Sequence, residues 1–261
     1  MINERGLFRD YWFNPSLALL RCVEGRLIAD VLDRLDPVCA LDAGCGSGRF
    51  TRCLNHMFDT GLDSDVGKLE AAQQCGCFKH LICDTFENID QRLTAKFDFI
   101  LLNSVLEHVI DPSLALGALG RLCGPGGHIL LSVPLAPAEE RWQAGSDSAN
   151  AGRLRSLFNT FLSHRHYFSV DIIHELASRN GLKVQDTWSY MNYNTKRAVD
   201  AMCAFNMRPH ELALSIFAND IVSLQQSLGD FSLELFYPLI EQDGSEGQGT
   251  HIMALLERQE K

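Results

Sequence analysis

No run of about 18 apolar residues occurs in this chain of 261, so a membrane-spanning helix is not expected. The N-terminal stretch MINERGLFRDYWF has no basic segment followed by an apolar core, so it does not read as a secretory signal, and the expected address is the cytoplasm. Positive charge is scarce: 23 Lys and Arg stand against 33 Asp and Glu, a formal charge of −10. A surface of that sign repels a phosphate backbone, and no basic patch offsets it, since Arg153-Leu-Arg155 and His164-Arg-His166 are short. A nucleic-acid partner is therefore not expected. The nine cysteines are odd in number and scattered, which suits a reducing compartment. Cys75-Gly-Cys77 has no second Cys or His pair at zinc spacing, so no metal is expected there. Internal repeats and low-complexity tracts are missing too.

What remains is a composition ordinary for a folded chain, 46% hydrophobic and 21% charged. Asn14-Pro15 reads as an N-cap and first helical position, followed by Leu20, Val23, Leu27 and Val31 at helical spacing. Strands and helices then alternate. Val38 to Leu41 reads as a strand, Arg49 to Phe58 as a helix, Thr60 to Leu62 as a short strand and Val66 to Gln74 as a helix. Leu81 to Cys83, FDFILLN at 97–103 and HILLSV at 128–133 read as further strands. Between them come an irregular or helical stretch at 86–93, a helix opened by Asp111-Pro112, and a turn at Gly124-Pro-Gly-Gly127. Such alternation predicts a parallel sheet covered on both faces, with ligands at the carboxyl ends of the strands.

Further on, the segment from Leu135 to Gly152 is polar and reads as a loop. Ser169 reads as the cap of a helix ended by Asn180-Gly181, then a strand runs from Leu182 to Tyr190. Residues 198 to about 228 have a helical pattern, and HIMALLE closes the chain as a last strand.

The chemistry is expected just after the strands. Gly44, Gly46 and Gly48 in LDAGCGSGRF would let a ligand approach the main chain. Their spacing is G-x-G-x-G, not the G-x-G-x-x-G of a dinucleotide fingerprint. Asp63 ends the second strand, where a carboxylate can accept both hydroxyls of a ribose; capping the next helix is the competing role, which Asp65, nearer that helix, could fill instead. Asp84 in Cys83-Asp-Thr-Phe86 can accept from an adenine amino group, or serve only a turn.

Taken in order, LDAGCGSG, GLDSD, CDTF, FDFILLNSVLEHVIDP and LCGPGGHILLSVP resemble the class I S-adenosylmethionine-dependent methyltransferases. The likeness is nearest to the small-molecule group that includes the ubiquinone-biosynthesis O-methyltransferases. It covers residues 36 to 134, then thins through 164 to 184. It implies a Rossmann-like, doubly wound α/β fold of seven strands, mostly parallel with an antiparallel last strand. It also implies S-adenosylmethionine as cofactor and S-adenosylhomocysteine as product. On this likeness Asp42 would orient the glycine loop, and Gly44, Cys45, Gly46 and Gly48 would cradle the methionine end. Asp63 with Ser64 would meet the ribose, Asp84, Thr85 and Phe86 the adenine, and the Asn103 carbonyl the ammonium group. The helical segment before the last strand departs from the family pattern and reads as an insertion.

The expected organisation is one methyltransferase domain over 1–261. It comprises a helical cap at 1–36, the cofactor core at 37–134 and a substrate-side loop, helix and strand at 135–197. An insertion at 198–240 and the last strand at 249–257 complete it. An oxygen acceptor must lose a proton, for which histidine is the natural base. His108, after the fourth strand, is the first candidate; the alternative is a surface or packing histidine. His164 and His166 share a face if their stretch is extended, and His166 is the weaker second candidate. Tyr11, Trp12 and Phe13 fit either a lid or core anchors. The reading is methyl transfer to a small molecule, at oxygen in preference to nitrogen or carbon. A non-catalytic cofactor-binding protein and an NAD-dependent oxidoreductase are the alternatives. The glycine spacing and the lack of a Tyr-x-x-x-Lys pair weigh against the latter.

Overall fold

The computed structural model describes residues 1–89, 93–94, 96–135, 163–192, 195, 221–242 and 249–259. Its elements run α1 (Glu4–Asp10), α2 (Pro15–Leu35), β1 (Ala40–Ala43), α3 (Arg49–Arg52), β2 (Phe58–Asp63), α4 (Val66–Cys75), β3 (Phe78–Cys83) and β4 (Phe97–Asn103). They continue through α5 (Pro112–Leu122), β5 (Cys123–Pro134), α6 (Val170–Arg179), β6 (Leu182–Tyr190), α7 (Ile221–Gln242) and β7 (His251–Arg258). These form two compact units. One holds Pro37–Gly48, Met57–Ser189 and Gly249–Lys261; the other holds Met1–Asp36, Arg49–His56 and Tyr190–Gln248. Among the described residues no helix is long and apolar enough to cross a membrane.

The first unit is built on a seven-stranded sheet in the order β3-β2-β1-β4-β5-β7-β6. The pairs among β3, β2, β1, β4 and β5 are parallel, and β7 runs antiparallel to β5. The expected doubly wound sheet with a reversed last strand is therefore present. Its core is a continuous apolar cluster in which Ile100 and Leu102 of β4, Leu131 and Val133 of β5, and Ile252 and Leu256 of β7 are buried with Leu116 and Leu119 of α5. Each such side chain contributes about 1.5–3 kcal/mol by leaving water.

Local polar groups explain where the elements start. The Asp98 carboxylate accepts from the amides of Val38 and Cys39, at 2.9 and 3.0 Å, and Asp59 accepts from that of Ala40. Val38 is exposed as a result, and β1 is Ala40–Ala43, not the Val38–Leu41 expected from hydrophobicity. The helix expected over Arg49 to Phe58 ends at Arg52: Asn55 takes φ +54, and Phe58 opens β2 opposite Phe78 on β3. Both strands start earlier than the expected Thr60 and Leu81. Polar Asp59, Lys79 and His80 break the apolar pattern of their early residues, and Lys79 donates to Asp59 at 2.6 Å. This ion pair, with the Ala40 amide, outweighs partial burial and holds the Asp59 carboxyl below its usual range. The turn expected at 124–127 is instead an irregular start of β5, where the register with β4 shifts between Phe97 and Phe99 and Gly126 takes φ +68.

Several caps are as expected. Asn14 accepts from Leu17, Asp111 from Ser113 and Leu114, and Ser169 from Ile172. In the second unit α1, unexpected from the sequence, is capped by Asn3 and tied to α7 by Arg9, which donates twice to Asp230. Arg26 donates to Glu4 and Glu241, while buried Glu24 accepts from Arg21 and the Tyr190 hydroxyl. Phe13 is half-buried beside Tyr11 and Trp12 and under the Arg49 guanidinium. The described part of the expected insertion is α7, which continues two residues past the expected limit of 240 with Pro238 inside it. Residues 198–220, and the loop expected to 152 from residue 136 onward, lie outside the described residues.

Candidate active site

The segments that follow β1, β2, β3 and β4 open on one cavity of about 550 Å³, within the range of small-molecule sites. Its position outside the carboxyl ends of the strands is where open α/β sheets bind ligands. The wall after β1 is main chain. Gly44 takes φ +87 and donates its amide to Leu62 O at 2.7 Å; a Cβ there would stand 2.5 Å from Val105 Cγ2. Gly46 takes φ +55, and a Cβ on it would meet nothing within 4 Å. The backbone is thus bare on the cavity side, a cradle that any side chain at 46 would fill. Gly48 has a packing role instead, since a Cβ there would approach Phe78 Cε2 at 3.0 Å.

Asp63 organises this end. Its Oδ2 accepts from the Gly46 amide at 2.8 Å, its Oδ1 from the Asp65 amide at 3.0 Å, and its carbonyl from the Asp84 amide at 3.2 Å. The helix cap of α4 is Asp65, which accepts from Gly67 and Lys68. Asp63 is therefore not the cap, and a carboxylate with about four lone-pair sites keeps capacity for two ligand hydroxyls. Asp84 accepts from the Thr85 amide at 2.8 Å and lines the wall with Thr85 and Phe86. Ser64 lies on the wall as well.

Opposite stands the segment after β4. Ser104 takes φ +53, a conformation uncommon for a residue with a side chain, and its amide is held by Ser132 O at 3.2 Å and Ser132 Oγ at 3.0 Å. His108 lines the cavity with Val105, Val109 and Ile110. Its Nδ1 faces Ser163 O at 3.2 Å, a contact that needs the proton on Nδ1 because a carbonyl only accepts. Nε2 lies 4.0 Å from Oε1 of the buried Glu107 carboxylate. Residues 163–166 run along this segment: Arg165 and His166 donate their amides to Glu107 O, at 2.8 and 3.2 Å, and His166 Nε2 meets Val109 O at 3.0 Å. His164 packs edge-on to His108, 5.1 Å between centroids. Glu107, His108 and His164 bring one ligand atom each within 4.8 Å of one another, a set that could hold a divalent ion.

The structure thus gathers Gly44, Gly46, Asp63, Ser64, Asp84, Thr85, Phe86 and His108 around one space. Asp42, Cys45, Gly48 and Asn103 are buried and do not line it. Burial, then Asp42 and Asp63, push the Cys45 thiol up, and its amide shares Leu62 O with Gly44. The Asn103 side chain accepts from Ser132 Oγ. His166 is turned to the carbonyls of Val109 and Ile110 and is not on the wall; Ser163 and Arg165 are. Both went unnoticed in the sequence, although alternation in an extended stretch that puts 164 and 166 on one face puts 163 and 165 on the other. Lys68 and Glu87 on the wall carried no sequence signal.

This arrangement of strands, bare glycine loop and strand-end carboxylates defines a nucleotide-type cofactor fold, and comparison with known proteins gives the family. A model of the Methyltransferase domain family matches residues 20–187. The chain belongs to that family, the class I S-adenosylmethionine-dependent methyltransferases, whose cofactor is S-adenosylmethionine. It is similar to a ubiquinone biosynthesis O-methyltransferase of Proteus mirabilis, 34% identical over 99 residues, 36% of this chain and 40% of that one. The same-named protein of Bartonella tribocorum is 28% identical over 219 residues, 76% of this chain and 85% of that one. The chain spans 39% to 42% of the length of the first curated relatives it matches. Among solved structures, a SAM-dependent methyltransferase from Thermotoga maritima shares the fold at TM-score 0.56 and 16% identity, covering 99% of this chain and all of that one.

Proposed function

We propose that this chain is an enzyme that moves a methyl group from S-adenosylmethionine to an oxygen of a small-molecule acceptor. The observation that carries the reading is a single cavity on which the bare main chain of Gly44 and Gly46, the carboxylates of Asp63 and Asp84, and the imidazole of His108 all open. In this reading the glycine amides and carbonyls hold the amino-acid end of the cofactor, supported from behind by Asp42 and, across the strand end, by the Asn103 carbonyl. Asp63 accepts the ribose hydroxyls with the capacity its two amide bonds leave, and Asp84 with Phe86 takes the adenine. Bound S-adenosylmethionine supplies a methyl group on a positively charged sulfur and leaves as S-adenosylhomocysteine.

The chain's own contribution is position and a proton acceptor. Val105 and Val109 exclude water beside the reacting oxygen, and holding the two partners aligned lowers the barrier of an in-line displacement. His108 Nε2 takes the acceptor's proton as its oxygen gains the methyl group, and the Glu107 carboxylate 4.0 Å away favours the imidazolium that results. The ring is oriented by its Nδ1 contact to Ser163 O. Histidine contributes about 10²–10⁴-fold in such roles. The acidic charge of −10 supports a small molecule over a nucleic acid as acceptor.

The test is incubation of the purified chain with methyl-labelled S-adenosylmethionine and a panel of phenols, alcohols and amines, read by mass spectrometry. Label recovered on a phenol or alcohol oxygen supports the reading. Label recovered only on amines moves the target to nitrogen. Cofactor bound but never turned over with any acceptor would leave a binding protein in place of an enzyme.

A further inference from the structure

The two ends of the cavity differ in charge. The ends of β2 and β3 present carboxylates, Asp63 and Asp84, joined by Glu87. Among the described residues the wall's cations are Lys68, on α4 in the segment that follows Asp63 and Ser64, and Arg165, on the segment beside His108. Arg165 is set there by main chain. Its amide donates to Glu107 O at 2.8 Å, and its neighbour His166 is fastened by its amide and by Nε2 to the 107–110 segment. Ser163, two residues back, turns its carbonyl to His108 Nδ1 and also lines the cavity. The backbone of 163–166 is therefore fixed to the turn that carries the proposed base, and Arg165 lies on the cavity wall.

Among the described residues the guanidinium of Arg165 makes no ion pair or hydrogen bond. Several arginines of the helical unit behave otherwise: Arg9 is held by Asp230, Arg26 by Glu4 and Glu241, and Arg21 by Glu24. In a chain with ten more acidic than basic residues, an arginine without a carboxylate on the wall of a cavity calls for a partner that arrives with the ligand. A planar guanidinium presents a fork that matches a carboxylate through two parallel bonds. Val105, Val109 and Ile110 line the same cavity, apolar groups suited to the body of a small acceptor.

We propose that Arg165 recognises a carboxylate on the methyl acceptor, so that the substrates are small hydroxy acids and not neutral phenols or alcohols. This rests on the methyltransferase reading above and narrows it to a substrate class. The acid group lies on Arg165, and the hydroxyl is thereby presented to His108 on the adjoining segment. Arg165 is thus a specificity-determining residue.

Binding tests this without needing turnover. The full chain, saturated with S-adenosylhomocysteine, is titrated calorimetrically with 3-hydroxybenzoate, 3,4-dihydroxyphenylacetate and mandelate, each paired with its methyl ester. At least one acid is expected to bind about 10- to 100-fold more tightly than its ester. Arg165→Gln should bring that acid down to its ester, Arg165→Lys should keep part of the preference, and both variants should hold S-adenosylhomocysteine as the parent does. Acids and esters that bind alike, a panel in which nothing binds, or a preference that survives Arg165→Gln would each overturn the proposal. Failure of the methyltransferase reading shows separately, as no affinity for S-adenosylhomocysteine at the first step.

Discussion

The proposed cofactor end and the proposed acceptor end of the cavity are built in different ways. At the cofactor end each wall segment is the loop that directly follows a strand, and the loops hold one another: Gly46 and Asp65 donate to Asp63, and Asp84 donates to its carbonyl. At the acceptor end the turn after β4 is completed by residues more than fifty positions later, through Arg165, His166 and Ser163. The first end is pre-formed by hydrogen bonds between the loops of adjacent strands. The second depends on a clamp from more than fifty positions away, and on the proposed function it is there that acceptor choice would change while the cofactor end stays as it is.

Substitutions at the two ends should therefore separate cofactor affinity from transfer. The largest effect is expected at His108: His108→Ala should lower the rate of methyl transfer about 10²–10⁴-fold with little change in cofactor affinity. A variant with the parent's rate would place the base elsewhere. Gly44→Ala comes next. It forces a side chain into φ +87 with its Cβ 2.5 Å from Val105 Cγ2, and strain plus overpacking should cost about 2–5 kcal/mol, read as a lower midpoint of denaturation and lost cofactor binding. The added change Val105→Ala should restore the steric part only. If the double variant were no better than the single, backbone strain alone would account for the loss.

Asp63→Ala should weaken cofactor binding by about 2–3 kcal/mol, or roughly 30- to 150-fold, through two lost hydroxyl bonds and a glycine loop without its anchor. Asp63→Asn, which keeps one oxygen acceptor, should lose less. The smallest effect is expected at the clamp. His166→Ala removes the Nε2 contact to Val109 O and should raise the acceptor KM by about 5-fold, the equivalent of about 1 kcal/mol, while the cofactor affinity holds. A matching loss of cofactor affinity would mean that the two ends are not independent.

The same difference explains what the sequence made legible. FDFILLN is β4 residue for residue, because the apolar run Phe99–Leu102 with Phe97 before it leaves little choice, and the caps at Asn14, Asp111 and Ser169 follow from local hydrogen bonding alone. LDAGCGSG and GLDSD are legible because the glycine loop and Asp63 sit immediately after their strands. The early residues of β2 and β3 were not, since Asp59, Lys79 and His80 interrupt the apolar pattern and their pairing is seen only across strands. Nor was α1, whose partners Arg26 and Asp230 lie further along the chain. Gly124 to Gly127 has the composition of a turn, yet pairing with β4 draws it into β5 as an irregular start. At the site, alternation put His164 and His166 together but did not say which face meets the cavity; the hydrogen bonds to Glu107 and Val109 decide that, and they depend on the fold.

The most direct measurement is calorimetric titration of the parent chain and Asp63→Ala with S-adenosylmethionine, S-adenosylhomocysteine and NADH. The account expects micromolar binding of the sulfonium compound and its thioether, silence with NADH, and a roughly 30- to 150-fold loss in the variant. Binding of NADH alone, or equal affinity in the parent and a folded Asp63→Ala, would contradict it.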